Sequence, residues 1–506
     1  MDIGGGLGRS ARLFPEKIAT ICEGRTYTYD QLNRIVNRFS HGLQALGVEK
    51  GDKVALMMKN SDDFPIAYFA AVKLGGVIVP INCRLTSVEA AYIIDHSDTK
   101  LILCDEEYTD LLEKARSPKV EQIIAFHRAT IDGHLTFSEV CTDNEEDPDV
   151  AIDRYDDIEL LYTSGTTGKP KGVLFDHHRV LTVIFNTTFM FGAYHNDRSL
   201  HIAPFFHAAQ LRTLTRGIFQ SHTNVILRQF DPVETLKAIE TYRITNFFGV
   251  PTMYNMLLQV PDREKYDLSS IQVCGYGAAP MAPELVRRSM ELFGTEQFFN
   301  QCGLTEGGPG GIHLTPEDHK TKMGASGKPR FLMEARVVDQ EGNHVAPGVV
   351  GELIMRGESI MKEYYKNPEA TAETLRNGWL YTGDLCTIDE DGYITLVDRS
   401  KDMIISGGSN VYSVEVEQVL YSYPGVLEAA VIGVPDEKWG ETVAAIIVPK
   451  PGAQIDQARL IAFCREQLAG YKIPRIVTFT DALPRNASGK IMKFELRTTY
   501  KNKMVQ

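Results

Sequence analysis

Short apolar runs alternate with helix-length segments from about residue 52 to about residue 300, and this alternation restricts the fold more than any other feature of the chain. Asp52 to Met58 predicts a strand. Ser61 to Leu74 predicts a helix, with Ser61 at its N-cap and Gly75-Gly76 at its stop. Val77-Ile78-Val79-Pro80 and Lys100 to Cys104 predict further strands, and Tyr108 to Ala115 another helix. Strand, helix and strand in repetition build mostly parallel sheets covered by helices. From about 324 to 398 short strands lie between glycine turns (Glu334 to Asp339, Gly351 to Arg356, Gly392 to Val397), which predicts a β-rich subdomain. Beyond Arg399 the pattern changes again. Ser413 to Tyr421 and Ile455 to Leu468 suit helices, and Ala429 to Val434 and Thr442 to Val448 suit strands. At 506 residues the chain exceeds one ordinary core. The expected division is a large N-terminal α/β domain, 1–399, followed by a small α+β domain, 400–506.

One predicted strand end, Ile158-Glu159-Leu160-Leu161-Tyr162, runs into Thr163-Ser164-Gly165-Thr166-Thr167-Gly168-Lys169-Pro170-Lys171-Gly172. Glycines let backbone approach a ligand closely. Backbone N–H groups, hydroxyls and lysines together form a cationic cradle for phosphate oxygens. The common NTPase loop does not fit, because Gly165 and Gly168 are separated by two residues and Pro170 obstructs a helix start. The glycine-rich start, Gly4-Gly5-Gly6-Leu7-Gly8-Arg9, fails as a dinucleotide loop: no strand precedes it, and Arg9 stands where the last glycine belongs.

The net charge of −13, with no long basic run, argues against nucleic-acid partners. No apolar stretch reaches membrane-spanning length, and no leader segment is evident, so the expected location is the cytoplasm. Peripheral membrane contact and a homodimer stay open. The eight cysteines form no Cys-x-x-Cys pair and are expected as free thiols in a reducing compartment.

Further small-residue and charged segments follow the cradle in order: Pro204-Phe205-Phe206-His207; Gly275-Tyr276-Gly277-Ala278-Ala279-Pro280; Gln301-Cys302-Gly303-Leu304-Thr305-Glu306; Tyr381-Thr382-Gly383-Asp384; Asp398 to Tyr412; and Pro484 to Lys490. In this order and spacing the chain, from about Ser10 to Lys490, resembles the AMP-forming acyl-activating enzymes, and within them the bacterial fatty-acyl-CoA synthetases. The resemblance implies ATP, Mg²⁺ and coenzyme A as reactants and cofactors, with a small carboxylic acid as substrate. It implies that Thr163, Ser164, Gly165, Thr166, Thr167 and Lys171 hold the β- and γ-phosphates, that Glu306 binds Mg²⁺, and that Thr305 contacts the α-phosphate. Asp384 would take the ribose hydroxyls, Arg399 ribose or phosphate, and Lys490 the carboxylate and α-phosphate during adenylation. Ala278, Ala279 and Pro280 would lie along adenine and the acyl pocket, and His207 at the entrance shared by acyl group and thiol. Lys401 matches the hinge of a rotating C-terminal domain, Gly407-Gly408 the pantetheine channel, and Trp439, Tyr471 and Arg475 the CoA nucleotide.

The chain departs from that pattern at Cys302, where an aromatic residue usually stacks on adenine; Tyr276 is the candidate substitute. Nothing anionic follows His207, which disfavours amino-acid substrates. Small residues at Ala208, Ala209, Gly249 and Gly307 to Gly311 suggest room for a medium or long fatty acid; an aryl-CoA ligase and a carrier-protein loading enzyme are the alternatives. Arg212 and Arg216 share a helix face and are expected toward solvent or a subunit contact; recognition of an acidic substrate end is the lesser reading.

Overall fold

The computed structural model describes residues 2–128, 131–163, 169–192, 196–485 and 491–504. Among the described residues the strands form four sheets. An eight-stranded sheet is centred on Lys53–Met57 and Val77–Pro80, which pair in parallel, as the alternating pattern predicts. Its strands are continuous apolar runs because helices cover both faces. One edge is irregular. Asp157–Thr163 pairs antiparallel with Lys171–Asp176, which in turn pairs antiparallel with Glu363–Tyr364, contributed from far along the chain. A nine-stranded sheet runs through Asn246–Gly249, Val273–Gly277 and Phe298–Leu304 in parallel, and its far edge is the N-terminal hairpin Ile18–Cys22 and Arg25–Thr28.

Helices sit between these sheets. Asp63–Val72 is apolar around its whole circumference and buried along its whole length, as a helix enclosed by protein must be. It starts later than the sequence suggests. Asp62, not Ser61, holds the N-cap position, and the Ser61 hydroxyl instead accepts the Asp63 N–H at 3.2 Å, a local turn that competes with capping. The glycine-rich start folds as helix Ile3–Leu13, capped by the Asp2 side chain on the Gly5 N–H.

The β-rich subdomain is a five-stranded antiparallel sheet that includes Trp379–Ile388 and Ile394–Arg399. The separate C-terminal domain has its own sheet, whose longest strands are Val426–Asp436 and Gly440–Pro449. Alternate residues bury on opposite faces. Ala429, Val431, Ala445 and Ile447 pack on helices Ser413–Ser422 and Gln457–Gln467, while Ala430, Ile432, Ala444 and Ile446 pack with Leu483 and Leu496. All eight cysteines are free. Among the described residues no helix is long and apolar enough to cross a membrane.

Candidate active site

The segment 163–171 leaves the end of one strand and returns as its antiparallel neighbour, so it closes a hairpin; no helix follows it directly. Thr163 and Lys171 face each other in register at its base. Ser164, Gly165, Thr166, Thr167 and Gly168 lie outside the described residues. The two lysines at the exit rest on aromatic rings: Lys169 Nζ is 5.0 Å from the centre of Tyr92, and Lys171 Nζ is 4.3 Å from that of Tyr364.

Tyr364 links this hairpin to Glu306. The chain turns in a single 3₁₀ turn, Thr305–Gly307, after strand Phe298–Leu304, and this places the Glu306 carboxylate in a largely buried position. The Tyr364 hydroxyl donates to Glu306 Oε1 at 2.7 Å, and the Met361 N–H donates to the Glu306 carbonyl at 2.8 Å. Gly308 completes the turn at φ +92°, where a Cβ would lie 2.4 Å from the Ser359 carbonyl oxygen, so only glycine fits. Sequence reasoning missed Tyr364; it lies in Glu363-Tyr364-Tyr365, with no local signal of its partner.

Asp384 and Arg399 are register partners on neighbouring strands, and Arg399 Nε stands 3.3 Å from Asp384 Oδ1. The Cys302 thiol lies in the electrostatic reach of both, beside Ser326 and Arg330, and burial pushes it up to about 12, so it stays protonated at neutral pH. Tyr276 is not placed as an open platform. Its ring is buried and its hydroxyl donates to His319 Nε2 at 2.9 Å, while His319 Nδ1–H donates to the Thr315 carbonyl at 2.6 Å. Ala278 follows strand Val273–Gly277 at φ +67°, a left-handed conformation that costs a non-glycine residue about 1–2 kcal/mol. Ala278 and Pro280 are exposed and Ala279 half-buried.

His207 is the N-cap of helix Ala208–Phe219. The loop before it is fixed by Asn60, which donates to the Ala203 carbonyl and accepts the Phe205 N–H, both at 2.8 Å. Burial pushes His207 down to about 4, and its Nε2 has no hydrogen-bond partner among the described residues. It is a neutral imidazole at physiological pH and, so far lowered, a weak proton acceptor.

The same helix overturns one expectation. Arg212 and Arg216 do not face solvent: they are 3% and 4% exposed. The helix enters the interior between the two large sheets, and Glu159, in strand Asp157–Thr163, supplies the counter-charge: Arg212 Nη1 is 2.6 Å from Glu159 Oε2. Both arginines line a small cavity, with Phe191, Phe248, Asn246 and Gln301 among its other walls.

In the C-terminal domain, Gly407 and Gly408 form the turn of a hairpin at φ +59° and +79°. The Gly407 N–H donates to the Trp439 carbonyl at 2.8 Å, and a Cβ on Gly407 would meet the indole ring at 2.6 Å. Arg475 stacks on the other candidate, Trp439, at 4.4 Å, whereas Tyr471 stands exposed nearby in sequence, beside Lys472. Lys401 is exposed in the turn closed by the Asp402 N–H and the Arg399 carbonyl at 2.9 Å. Lys490 lies outside the described residues. Among the described residues no three His, Cys, Asp or Glu side chains cluster to hold a metal by themselves.

The chain belongs to the AMP-binding enzyme family, whose main domain matches residues 7–365 and whose C-terminal domain matches residues 415–490. It is 38% identical over 493 residues to a feruloyl-CoA synthase of an Amycolatopsis species, a match covering 97% of this chain and 98% of that one. It is 35% identical over 481 residues to a long-chain-fatty-acid–CoA ligase of Mycobacterium tuberculosis, covering 94% and 93%. The crystal structure of an anthranilate CoA ligase in complex with anthranoyl-AMP superposes with a TM-score of 0.93 at 30% identity, covering 100% of this chain and 98% of that one. The protein is accordingly an acyl- or aryl-CoA ligase of the adenylate-forming type, which uses ATP, Mg²⁺ and CoA.

Proposed function

We propose that the acid is a compact one with a ring, and that the residues named above divide the two half-reactions between them. The carboxylate oxygen attacks the α-phosphorus of ATP, the bond to the bridging oxygen breaks, and pyrophosphate leaves. The CoA thiol then attacks the acyl carbon, loses its proton, and displaces AMP. Thr163, Ser164, Gly165, Thr166, Thr167 and Lys171 grip the departing β- and γ-phosphates. Glu306, a single buried carboxylate held in place by a phenol, would hold a hard cation together with substrate phosphate oxygens. Mg²⁺ bound there supplies charge neutralisation for the phosphates. Thr305 holds the α-phosphate, and Asp384, oriented by Arg399, accepts the ribose hydroxyls. Lys490 neutralises charge where carboxylate and α-phosphate meet. Ala278, Ala279 and Pro280 border adenine and acid, and His207 shapes the acyl entrance.

For the second half-reaction the C-terminal domain, 400–506, turns about Lys401 against the N-terminal domain, 1–399, and Gly407, Gly408 and Trp439 line the thiol's approach. The observation that carries this reading is the contact chain from Lys171 through the Tyr364 ring to Glu306, which joins the phosphate hairpin to the carboxylate.

Cavity walls support the choice of acid. Phe191 and Phe248 offer flat apolar faces, while the Arg216 Nε and Nη1 bring donors that an alkyl tail would leave unpaired. A medium or long fatty acid, favoured by the small residues near His207 and consistent with the 35%-identical relative, is the competing substrate. CoA-dependent AMP release measured over aryl, fatty and dicarboxylic acids tests this. The expected result is turnover of ring acids; selective turnover of fatty acids would overturn the choice. Replacing CoA by a carrier protein tests the thiol acceptor.

A further inference from the structure

The two arginines of helix Ala208–Phe219 are not equivalent. Arg212 is neutralised: its Nη1 donates to Glu159 Oε1 at 2.7 Å, and the same carboxylate oxygen accepts the Tyr68 hydroxyl at 2.6 Å. Arg216, one helical turn further, has no carboxylate in contact. Its Nη2 donates to Asn246 Oδ1 at 3.2 Å, its guanidinium stands 4.8 Å from the centre of the Phe191 ring, and its Nε and Nη1 have no hydrogen-bond partner among the described residues. Asp197 acts on it only through the field, and is itself engaged by the Thr245 hydroxyl at 3.0 Å. Burial dominates and pulls Arg216 down to about 10, still cationic at neutral pH. Of the two buried guanidinium groups at the cavity wall, one therefore has a carboxylate in contact and the other does not.

A guanidinium has five donors in a planar fork that matches a carboxylate. Leaving such donors buried and unpaired is costly, and a bound anion recovers that cost. Position fits as well. Arg216 lies nine residues beyond His207, about 13 Å along the helix axis, and Gln301, another wall residue, shares strand Phe298–Leu304 with Cys302 just before Thr305 and Glu306. The cavity thus combines the Arg216 guanidinium with aromatic walls.

We propose that Arg216 binds a second anionic group, a carboxylate, carried at the far end of the ring-containing acid that this enzyme activates. The proposal rests on the ligase reading above and names the substrate class within it. A purely structural Arg216 would tie Asn246 to the helix and have no preference among acids.

Matched pairs of ring acids separate the two. One member carries a distal carboxylate and the other a carboxamide or methyl group of similar size. In CoA-dependent AMP release the expected kcat/KM ratio in favour of the diacid is about 100-fold, the scale of a charge-assisted pair left unmade in the analogue. In Arg216→Met the ratio falls to within about threefold of unity, and in Arg216→Lys, which keeps charge but not the fork, it is intermediate. ATP-induced thermal stabilisation of each variant reports whether it is folded. Should Arg216→Met not fold, the ratio in the unaltered enzyme decides alone. A wild-type ratio near unity, or an equal fall for both acids in Arg216→Met, overturns the proposal while leaving the ligase reading intact. Absence of AMP release with every acid overturns both.

Discussion

Tyr364 and Glu306, 58 residues apart, are joined by a 2.7 Å hydrogen bond from phenol to carboxylate, and the same phenol ring lies under the Lys171 ammonium. Burial and the neighbouring carboxylate hold the Tyr364 hydroxyl protonated, so it is a fixed donor. Tyr364→Phe keeps the ring beneath Lys171 and removes only the donor. ATP–pyrophosphate exchange is expected to fall about tenfold, with half-saturating Mg²⁺ moved upward, since a hydrogen bond to a charged group contributes about 1.5–3 kcal/mol. An unchanged Mg²⁺ titration would show that Tyr364 does not position Glu306.

Lys401→Pro fixes φ at the turn proposed above to rotate for the second half-reaction. Pyrophosphate exchange is expected near the wild-type rate, with thioester formation lost. Equal loss of both half-reactions would remove Lys401 as a hinge.

Cys302 lies beside Asp384 and Arg399 and is only partly exposed. By the resemblance noted above, a ring there would stack on adenine, a contact worth about 1–3 kcal/mol. Cys302→Tyr is therefore expected to leave the KM for ATP unchanged or lower it. A raised KM in a folded variant would count against Cys302 as the adenine-side residue.

Acid sensitivity has a defined window. His201 is locked as one neutral tautomer: its Nδ1 accepts from Gln210 Nε2 at 2.7 Å and its Nε2–H donates to Asn224 Oδ1 at 3.0 Å. Burial pushes it down to about 4, from an ordinary value of 6.5. Between those values the unfolded chain binds the proton and the folded chain does not, so stability falls as pH drops through the window and levels off below it. His201→Gln removes one such group. Relative to wild type, its slope of stability against pH between 5 and 6 is expected to be shallower by about 1 kcal/mol per pH unit, read from urea midpoints. Parallel slopes would contradict this.

Much of the architecture is written locally. Val77–Pro80 is found with the ends its apolar run suggests, and the helix expected from Ser413 begins there, because apolar patterning acts over a few residues. What sequence could not reveal depends on contacts across the chain. Arg212 and Arg216 share a face, as their spacing dictates, but which way that face points was decided by Glu159 on a distant strand. The acid inside the apolar run 158–161 was the available hint, since a buried carboxylate demands a cation. Tyr364 gave no hint, because its part arises from pairing with Val173. Ser61 misled because a hydroxyl before a helix can close a two-residue turn as readily as a cap.

The edge strand Glu363–Tyr364 completes a sheet whose other strands all lie before residue 177. During synthesis, that sheet waits for nearly two hundred further residues before its last edge is covered, and in the interval Lys171–Asp176 presents unpaired backbone. The nine-stranded sheet has the opposite debt, holding the N-terminal hairpin idle until Thr223–Ile226 emerges. The two halves of the large domain are thus laced through each other in time as well as in space, and a chain cut between residues 226 and 363 would be left with a raw, adhesive margin on the sheet that carries the hairpin.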